Sequence, residues 1–122
     1  MECSGIGDHG AATLSRLNCL LFQRSVDLLL GAAFNYVGAT ALQLMLAQQA
    51  GLKPGELIWV GGDVHLYLNH LDQARVQVER EPRPFPQMKL LRQPNSIDDY
   101  RIQDFEVEGY SPHAAIKADV AV

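Results

Sequence analysis

The sequence predicts an α+β protein in which helices pack against a mostly antiparallel sheet. Three observations support this. Short apolar runs bounded by Gly and Pro are typical of strands, and one longer stretch repeats its apolar residues at helical spacing. The third is composition: 48% of the 122 residues are hydrophobic, enough for one small core that needs no metal or disulfide.

The first half of the chain divides into a leader, a strand and a helix. Residues 1–14 hold three glycines and show no periodicity, which predicts a flexible leader over residues 1–16. Residues 17–30 contain two apolar runs around a polar centre, which indicates a strand with a polar insert. Residues 35–49 carry apolar side chains at helical spacing and precede Gly51, so we expect a helix there.

The second half contains shorter elements. A β-rich run at residues 56–60 predicts a strand, residues 71–79 a second helix, and residues 87–92 and 105–108 two further strands. Three prolines near position 84 favour an extended passage between them, because each proline fixes φ and removes a hydrogen-bond donor.

Charge and cysteine content restrict the partners. A formal charge of -4 disfavours DNA and anionic membranes, which bind basic surfaces. Arg24 and Asp27 interrupt the most apolar early stretch, so a membrane helix is not expected. Cys3 and Cys19 form neither a zinc motif nor a disulfide pattern, which fits a cytoplasmic location.

Arg24 and Ser25 form a candidate anion site. A guanidinium flanked by apolar strand residues needs a carboxylate or phosphate partner, and its two parallel N–H groups match phosphate oxygens. The alternative is a structural salt bridge from Arg24 to Asp27 or to another carboxylate.

A second polar cluster follows the predicted strand at residues 56–60. Asp63, His65 and His70 are donor types found at metal sites, but no third imidazole or thiolate lies nearby in the sequence. Tyr67 and Asn69 are uncharged hydrogen-bonding groups that suit sugar hydroxyls better than zinc. A metal hydrolase and a solvated loop remain as alternatives at this point.

Several motifs together resemble one family. They are Gln23-Arg24-Ser25-x-Asp27, Gly31 with Phe34-Asn35, Gly61-Gly62-Asp63-x-His65-x-Tyr67-x-Asn69-His70, Arg80-Glu81-Pro82-Arg83-Pro84, Asp99-Tyr100, Asp104-Phe105, Glu108-Gly109-Tyr110 and Pro112-His113-x-x-Ile116-Lys117-Ala118. In identity, order and spacing they resemble thymidylate synthase, and the resemblance identifies residues 17–122 as the C-terminal portion of such a domain.

The resemblance implies conversion of dUMP to dTMP with 5,10-methylenetetrahydrofolate and no metal. In the family a cysteine thiolate adds to C6 of the uracil, which makes C5 nucleophilic. By similarity, Arg24 and Ser25 would bind the phosphate, and His65 and Tyr67 the deoxyribose 3'-hydroxyl. Asn35 would pair with the uracil edge, select uracil over cytosine and stabilise the enolate.

The resemblance also implies a folate site. Asp27 would contact both the nucleotide and the pterin ring, while Leu30, Gly31 and Phe34 would line the folate side. Ala121 would belong to a tail that closes over the folate and excludes water. The family pattern has proline where Ala33 and Asp119 stand.

The expected nucleophile is missing from this sequence. In the family it lies in a Pro-Cys-His motif upstream of the Gln-Arg-Ser segment, and neither Cys3 nor Cys19 has those neighbours. We therefore expect nucleotide and folate contacts, with negligible turnover by the chain alone. Family members form homodimers whose partner supplies further arginines. The alternative is a non-catalytic nucleotide-binding or assembly module derived from the enzyme.

Overall fold

The computed structural model describes residues 15–120. Two long strands, two helices and a short hairpin-like pair follow one another in the order β1 (Arg16–Asp27), α1 (Ala32–Gln49), β2 (Lys53–His65), α2 (Leu71–Val78), β3 (Gln87–Leu90) and β4 (Phe105–Glu108). Single 3-10 turns cover Leu68–His70, Ile97–Asp99 and Ile102–Asp104. Residues 1–14 of the predicted leader and Ala121 lie outside the described residues, whereas Arg16, which the leader was expected to include, begins β1.

The predicted mixture of helices and strands is confirmed. β3 and β4 pair antiparallel, as expected. The longer pair, β1 with β2, is parallel instead, with Cys19 opposite Leu57 and Asp27 opposite His65. The expected antiparallel direction is thus corrected for this pair, because α1 carries the chain back along the sheet and two strands joined by such a crossover run parallel.

One face of the β1/β2 pair is covered by α1. Half-buried and exposed residues alternate along β1 and along β2, as the two-residue period of a strand requires. Ala47 of α1 is buried, and buried Gln43 donates from Nε2 to the carbonyl oxygens of Leu17 at 2.8 Å and Glu56 at 3.1 Å. Gln43 therefore joins the helix to both strands.

The other face of the pair is apolar and uncovered. Leu20 and Phe22 of β1 are 63% and 62% exposed. They stand opposite Ile58 and Val60 of β2, which are also exposed. An apolar face of this kind is more typical of an interface than of a monomer surface.

An ion pair organises the turns before β4. Nε of Arg92 donates to Oδ1 of Asp104 at 2.6 Å, and the backbone N–H of Arg101 donates to Oδ2 at 2.7 Å. The hydrogen bond from Arg92, with that from Arg101, lowers the pKa of the buried Asp104 carboxyl. These contacts hold Asp104 ionised.

Residues 111–120, which we call the C-terminal segment, have neither helix nor strand structure. Side chains of α2 and of the residues flanking it donate to carbonyl oxygens of this segment. The pairs are Arg83 with Ser111 and Pro112, Arg80 with Ala114, Gln73 with Lys117, and His70 with Asp119. The segment therefore runs antiparallel to residues 70–83.

Within residues 15–120, no helix combines the length and the apolarity needed to cross a bilayer.

Candidate functional site

The predicted site residues cluster at the carboxyl end of the parallel pair. Arg24 and Ser25 lie near the end of β1, His65 is the last residue of β2, and Asn35 stands in the first turn of α1. Ser25 is opposite Asp63 in the sheet, and Asp27 is opposite His65. Open sheets with parallel strands typically bind ligands beyond this edge.

Asp27 fixes the turn that leads from β1 into α1. Its Oδ1 accepts the backbone N–H groups of Leu29 at 3.0 Å and Leu30 at 3.4 Å. A Cβ on Gly31 would lie 3.0 Å from the carbonyl oxygen of Asp27, so this close approach favours glycine. The turn places Leu30, Gly31 and the start of α1 beside the site.

Three side chains form a hydrogen-bonded chain that ends at Asn35. The indole N–H of Trp59 donates to Oε1 of Gln23, and Nε2 of Gln23 donates to Oδ1 of Asn35 at 2.8 Å. The ring of Tyr36 meets that of Trp59 edge to face at 5.4 Å. Since an indole N–H can only donate, this chain fixes which way both amides are turned.

Arg24 and Ser25 are exposed. The alternative of a salt bridge from Arg24 to Asp27 is not formed, because Asp27 caps the turn described above and no ion pair within residues 15–120 includes Arg24. Opposite them, Gly62 packs closely: a Cβ there would lie 2.9 Å from the carbonyl oxygen of Arg24. The guanidinium is thus accessible to an anion.

His65 and Tyr67 form the other side of the site. Their rings meet edge to face at 5.1 Å, and Nδ1 of His65 lies 3.5 Å from Oδ1 of Asp63. The tyrosine ring also meets the ring of His70 at 5.9 Å. Imidazole and phenol groups at this edge can hydrogen-bond a hydroxyl group.

A cleft of about 630 Å³ opens on the other side of the α1 start. Leu30 and Phe34 line it from the turn and the helix, and Tyr110, Pro112 and His113 from the C-terminal end of the described chain. Phe34 is 79% exposed. Apolar residues therefore form part of the cleft wall, whereas the position predicted to close it, Ala121, lies outside the described residues.

The alternative of a metal site has no matching cluster of side chains among the described residues. Within residues 15–120, no group of three or more His, Cys, Asp or Glu side chains could hold a metal ion. His70 uses Nε2 to contact the carbonyl oxygen of Asp119 at 2.6 Å. It therefore serves the packing of the C-terminal segment.

Sequence reasoning did not assign roles to Gln23 and Trp59. Gln23 was part of a recognised motif, but its link to Asn35 spans 12 residues and follows no local pattern. The available signal was Trp59, the one tryptophan of the sequence. An indole N–H inside a strand needs an acceptor, and Gln23 supplies it.

Comparison with known proteins identifies relatives over nearly the whole chain. The family model "Thymidylate synthase" matches residues 5–122, so the match begins within the predicted leader. Thymidylate synthases of Rhodopseudomonas palustris, Cereibacter sphaeroides and Zymomonas mobilis are 70%, 68% and 56% identical to it over 120 residues, 98% of this chain. The chain spans about 40% of the length of these relatives.

Proposed function

This chain belongs to the thymidylate synthase family, and from that membership we propose that it carries the dUMP-binding half-site and part of the folate site of a cytoplasmic enzyme. The complete enzyme would convert dUMP to dTMP with 5,10-methylenetetrahydrofolate as carbon donor, without a metal. The chain alone would bind nucleotide and turn over negligibly.

The orientation of Asn35 is the observation that carries this proposal. Because Gln23 donates to Oδ1 of Asn35, the Nδ2 hydrogens and the second lone pair of Oδ1 are left for a ligand. Uracil offers the complementary pair, an acceptor at O4 and a donor at N3. Cytosine offers an amino donor in place of O4 and would oppose the Nδ2 hydrogens. The amide would also stabilise the negative charge that develops on O4.

Phosphate and sugar contacts are assigned to the flanking residues. Arg24 and Ser25 would hold the phosphate through charge-assisted and hydroxyl hydrogen bonds. His65 and Tyr67 would bind the 3'-hydroxyl. The support is their shared position at one edge of the sheet, with Ser25 and the end of β1 paired to the end of β2.

A second copy of the complete protein is the proposed partner. One accessible arginine on a net-acidic chain is little positive charge for a phosphate that is nearly dianionic. The uncovered face formed by Leu20, Phe22, Ile58 and Val60 supports a homodimer that packs sheet against sheet. The partner would then add arginines to the phosphate site.

Folate would occupy the cleft beside α1. Leu30, Gly31 and Phe34 lie at its wall or beside it, and an apolar wall suits a flat pterin ring. Asp27 would hydrogen-bond the pterin with the oxygen that the turn leaves free. Ala121 would contribute to closure over the bound folate.

The nucleophile is not assigned to either cysteine. Cys19 lies near the start of β1, away from the carboxyl end of the strand, and is half-buried, and the Pro-Cys-His motif does not occur in the 122 residues. We therefore expect no dTMP when the purified chain is supplied with dUMP and 5,10-methylenetetrahydrofolate. Turnover above that of a mock purification would contradict this part of the proposal.

Titration calorimetry with dUMP tests the half-site. Arg24→Ala removes the charge-assisted phosphate contact, worth about 1.5 to 3 kcal/mol, so dUMP affinity should fall by about 10- to 150-fold. Arg16→Ala, at the other end of the same exposed strand, is the matched control and should leave affinity unchanged. Equal losses in both variants, or no binding at millimolar dUMP, would refute the half-site.

Uracil selection is tested separately with Asn35→Asp. An ionised carboxylate offers no hydrogen for O4, so this variant should lose dUMP affinity and gain affinity for dCMP relative to the parent chain. A variant that weakens both nucleotides equally would show that Asn35 does not read the base. Nucleotide binding without any family reaction in the completed assembly would favour the binding-module alternative.

A further inference from the structure

We propose that His70 is a positioning residue that couples docking of the C-terminal segment to the sugar side of the nucleotide site. The effect on dUMP binding rests on the proposed function. Docking of the C-terminal segment by His70 is argued from contacts within the chain alone. The sequence predicts no role in nucleotide binding for this histidine, although His70 ends a motif of the family resemblance.

The tautomer of His70 follows from its partner. The side chain is fully buried, at 0% exposure, and Nε2 lies 2.6 Å from the carbonyl oxygen of Asp119. Because a carbonyl oxygen only accepts, Nε2 carries the hydrogen. Nδ1 is buried and has no hydrogen-bond partner within the described residues. The ring therefore commits its single donor to the C-terminal segment.

The backbone of the same turn connects His70 to the nucleotide site. The N–H of His70 donates to the carbonyl oxygen of Tyr67 at 2.9 Å. The rings of His65, Tyr67 and His70 follow one another edge to face, with centroids 5.1 Å and 5.9 Å apart. A displacement of His70 therefore has a direct route, through packed rings, to both residues proposed to bind the sugar.

The contact does not depend on the side chain at position 119. His70 donates to the backbone carbonyl of Asp119, a group that every residue type retains. Proline, which the family pattern has at this position, keeps the carbonyl and restricts φ. The departure from that pattern thus leaves the coupling contact in place, and Asp119→Pro should preserve it.

Two amide substitutions separate the hydrogen bond from the bulk of the ring. In His70→Gln the amide nitrogen reaches about as far as Nε2, so a donor remains available to Asp119. In His70→Asn the side chain is one methylene shorter and its amide cannot reach. Asp72→Asn, on the exposed side of α2 and away from the segment, is the control for a change in that helix.

Tryptic cleavage after Lys117, followed by mass spectrometry of the released peptide, reports opening of the segment in the 122-residue chain. We expect about tenfold faster cleavage in His70→Asn, as for loss of about 1.4 kcal/mol. His70→Gln and Asp72→Asn, which leave the residues around the cleaved bond unchanged, should stay within about twofold of the parent. Equal rates in His70→Asn and the parent, or in His70→Asn and His70→Gln, would overturn the docking contact.

Calorimetry with dUMP then tests the coupling. His70→Asn should weaken dUMP binding about fivefold, and His70→Gln should restore it. Faster cleavage with unchanged dUMP affinity would overturn the link to the sugar side. If the parent chain fails to bind dUMP, the proposed function fails, while the cleavage rates still decide whether His70 docks the segment. Far-ultraviolet circular dichroism confirms that each variant is folded before it is compared.

Discussion

The β1–α1–β2 unit and the C-terminal segment, the two parts of the proposed site, are held in place by different contacts. The unit is held by a backbone ladder along β1 and β2, with Gln43 of α1 bonded to both strands. The C-terminal segment is held mainly through its carbonyl oxygens, which accept solvent-exposed hydrogen bonds from side chains, and His113 donates in turn to the carbonyl oxygen of Glu81. Hydrogen bonds of the β1–α1–β2 ladder should therefore break together, whereas those of the C-terminal segment can be lost one at a time.

This difference separates two tasks. The proposed base selection by Asn35 needs a fixed amide, and the ladder with the Trp59–Gln23 chain provides it. Closure over a bound ligand needs a segment that can be released without unfolding the rest. The following predictions test whether the two regions are as independent as their hydrogen bonds indicate.

The largest effect is expected from Gln43→Leu. The substitution nearly conserves volume but leaves the carbonyl oxygens of Leu17 and Glu56 without their buried donor. The free energy of unfolding, measured by urea denaturation, should fall by about 2 to 3 kcal/mol. Leu42→Gln on the exposed side of α1 is the control and should change it by about 0.5 kcal/mol. Similar losses of unfolding free energy in Gln43→Leu and Leu42→Gln would show that the hydrogen bonds of Gln43 do not stabilise the β1–α1–β2 unit.

The next largest effect is expected from Gly62→Ala. Its Cβ would lie 2.9 Å from the carbonyl oxygen of Arg24, so the strands must move apart locally at a cost of about 1 to 2 kcal/mol. The affinity for dUMP should fall with it. Gly38→Ala is the matched control: nothing lies within 4 Å of that Cβ, and the helix should gain about 0.5 to 1 kcal/mol. If Gly62→Ala keeps the stability and the dUMP affinity of the parent chain, the close approach at Gly62 does not constrain the two strands.

Arg83→Ala should loosen the C-terminal segment alone. Nη1 of Arg83 contacts the carbonyl oxygens of Ser111 and Pro112 and the hydroxyl of Ser111. Losing them should cost about 1 kcal/mol locally and speed chymotryptic cleavage after Tyr110 about fivefold. The urea midpoint of the whole chain should hardly change. A matching drop in that midpoint would mean that the two regions unfold together.

Arg75→Ala is the control for that experiment. Arg75 is exposed on α2 and pairs only with Asp72 among the described residues. Both cleavage and unfolding should therefore stay at the level of the parent chain.

The smallest effect is expected from lowering the pH. The pKa of Asp104 is lower in the folded chain than in the unfolded chain, because Arg92 and the Arg101 N–H donate to it. Its contribution to stability is therefore complete above about pH 4 and is lost as the pH falls through the lower, folded pKa. Urea midpoints measured from about pH 6 down to about pH 2 should fall less in Asp104→Asn than in the parent. Parallel curves would contradict this assignment.

The sequence predicted the elements better than their arrangement. The helix expected at residues 35–49 is Ala32–Gln49, and the strand expected at residues 105–108 is Phe105–Glu108. Periodicity is a local property, so it finds such segments. The direction of β1 relative to β2 depends on where α1 carries the chain, and this crossover was missed although strand, helix and strand follow in order.

The site, like the fold, was predicted in part. The family resemblance assigned Arg24, Asn35 and His65 to one site, and the structure places them near the carboxyl end of the parallel pair. The contact of His70 with Asp119 joins residues 49 positions apart through a backbone carbonyl. No side-chain pattern marks a carbonyl acceptor, so this contact could not be read from residue types.

The contacts of the C-terminal segment also have a consequence for the order of folding. In four of its pairs with residues 70–83, those made by Arg83, Arg80, Gln73 and His70, the donor precedes the acceptor by 28 to 49 residues, and a chain is synthesised from its N-terminus. During synthesis the donors of residues 70–83 are therefore made first and stay bonded to water until residues 111–119 emerge. We expect docking of the segment to be the last folding event, so that the cleft side of the proposed site is completed only after the β1–α1–β2 unit has formed.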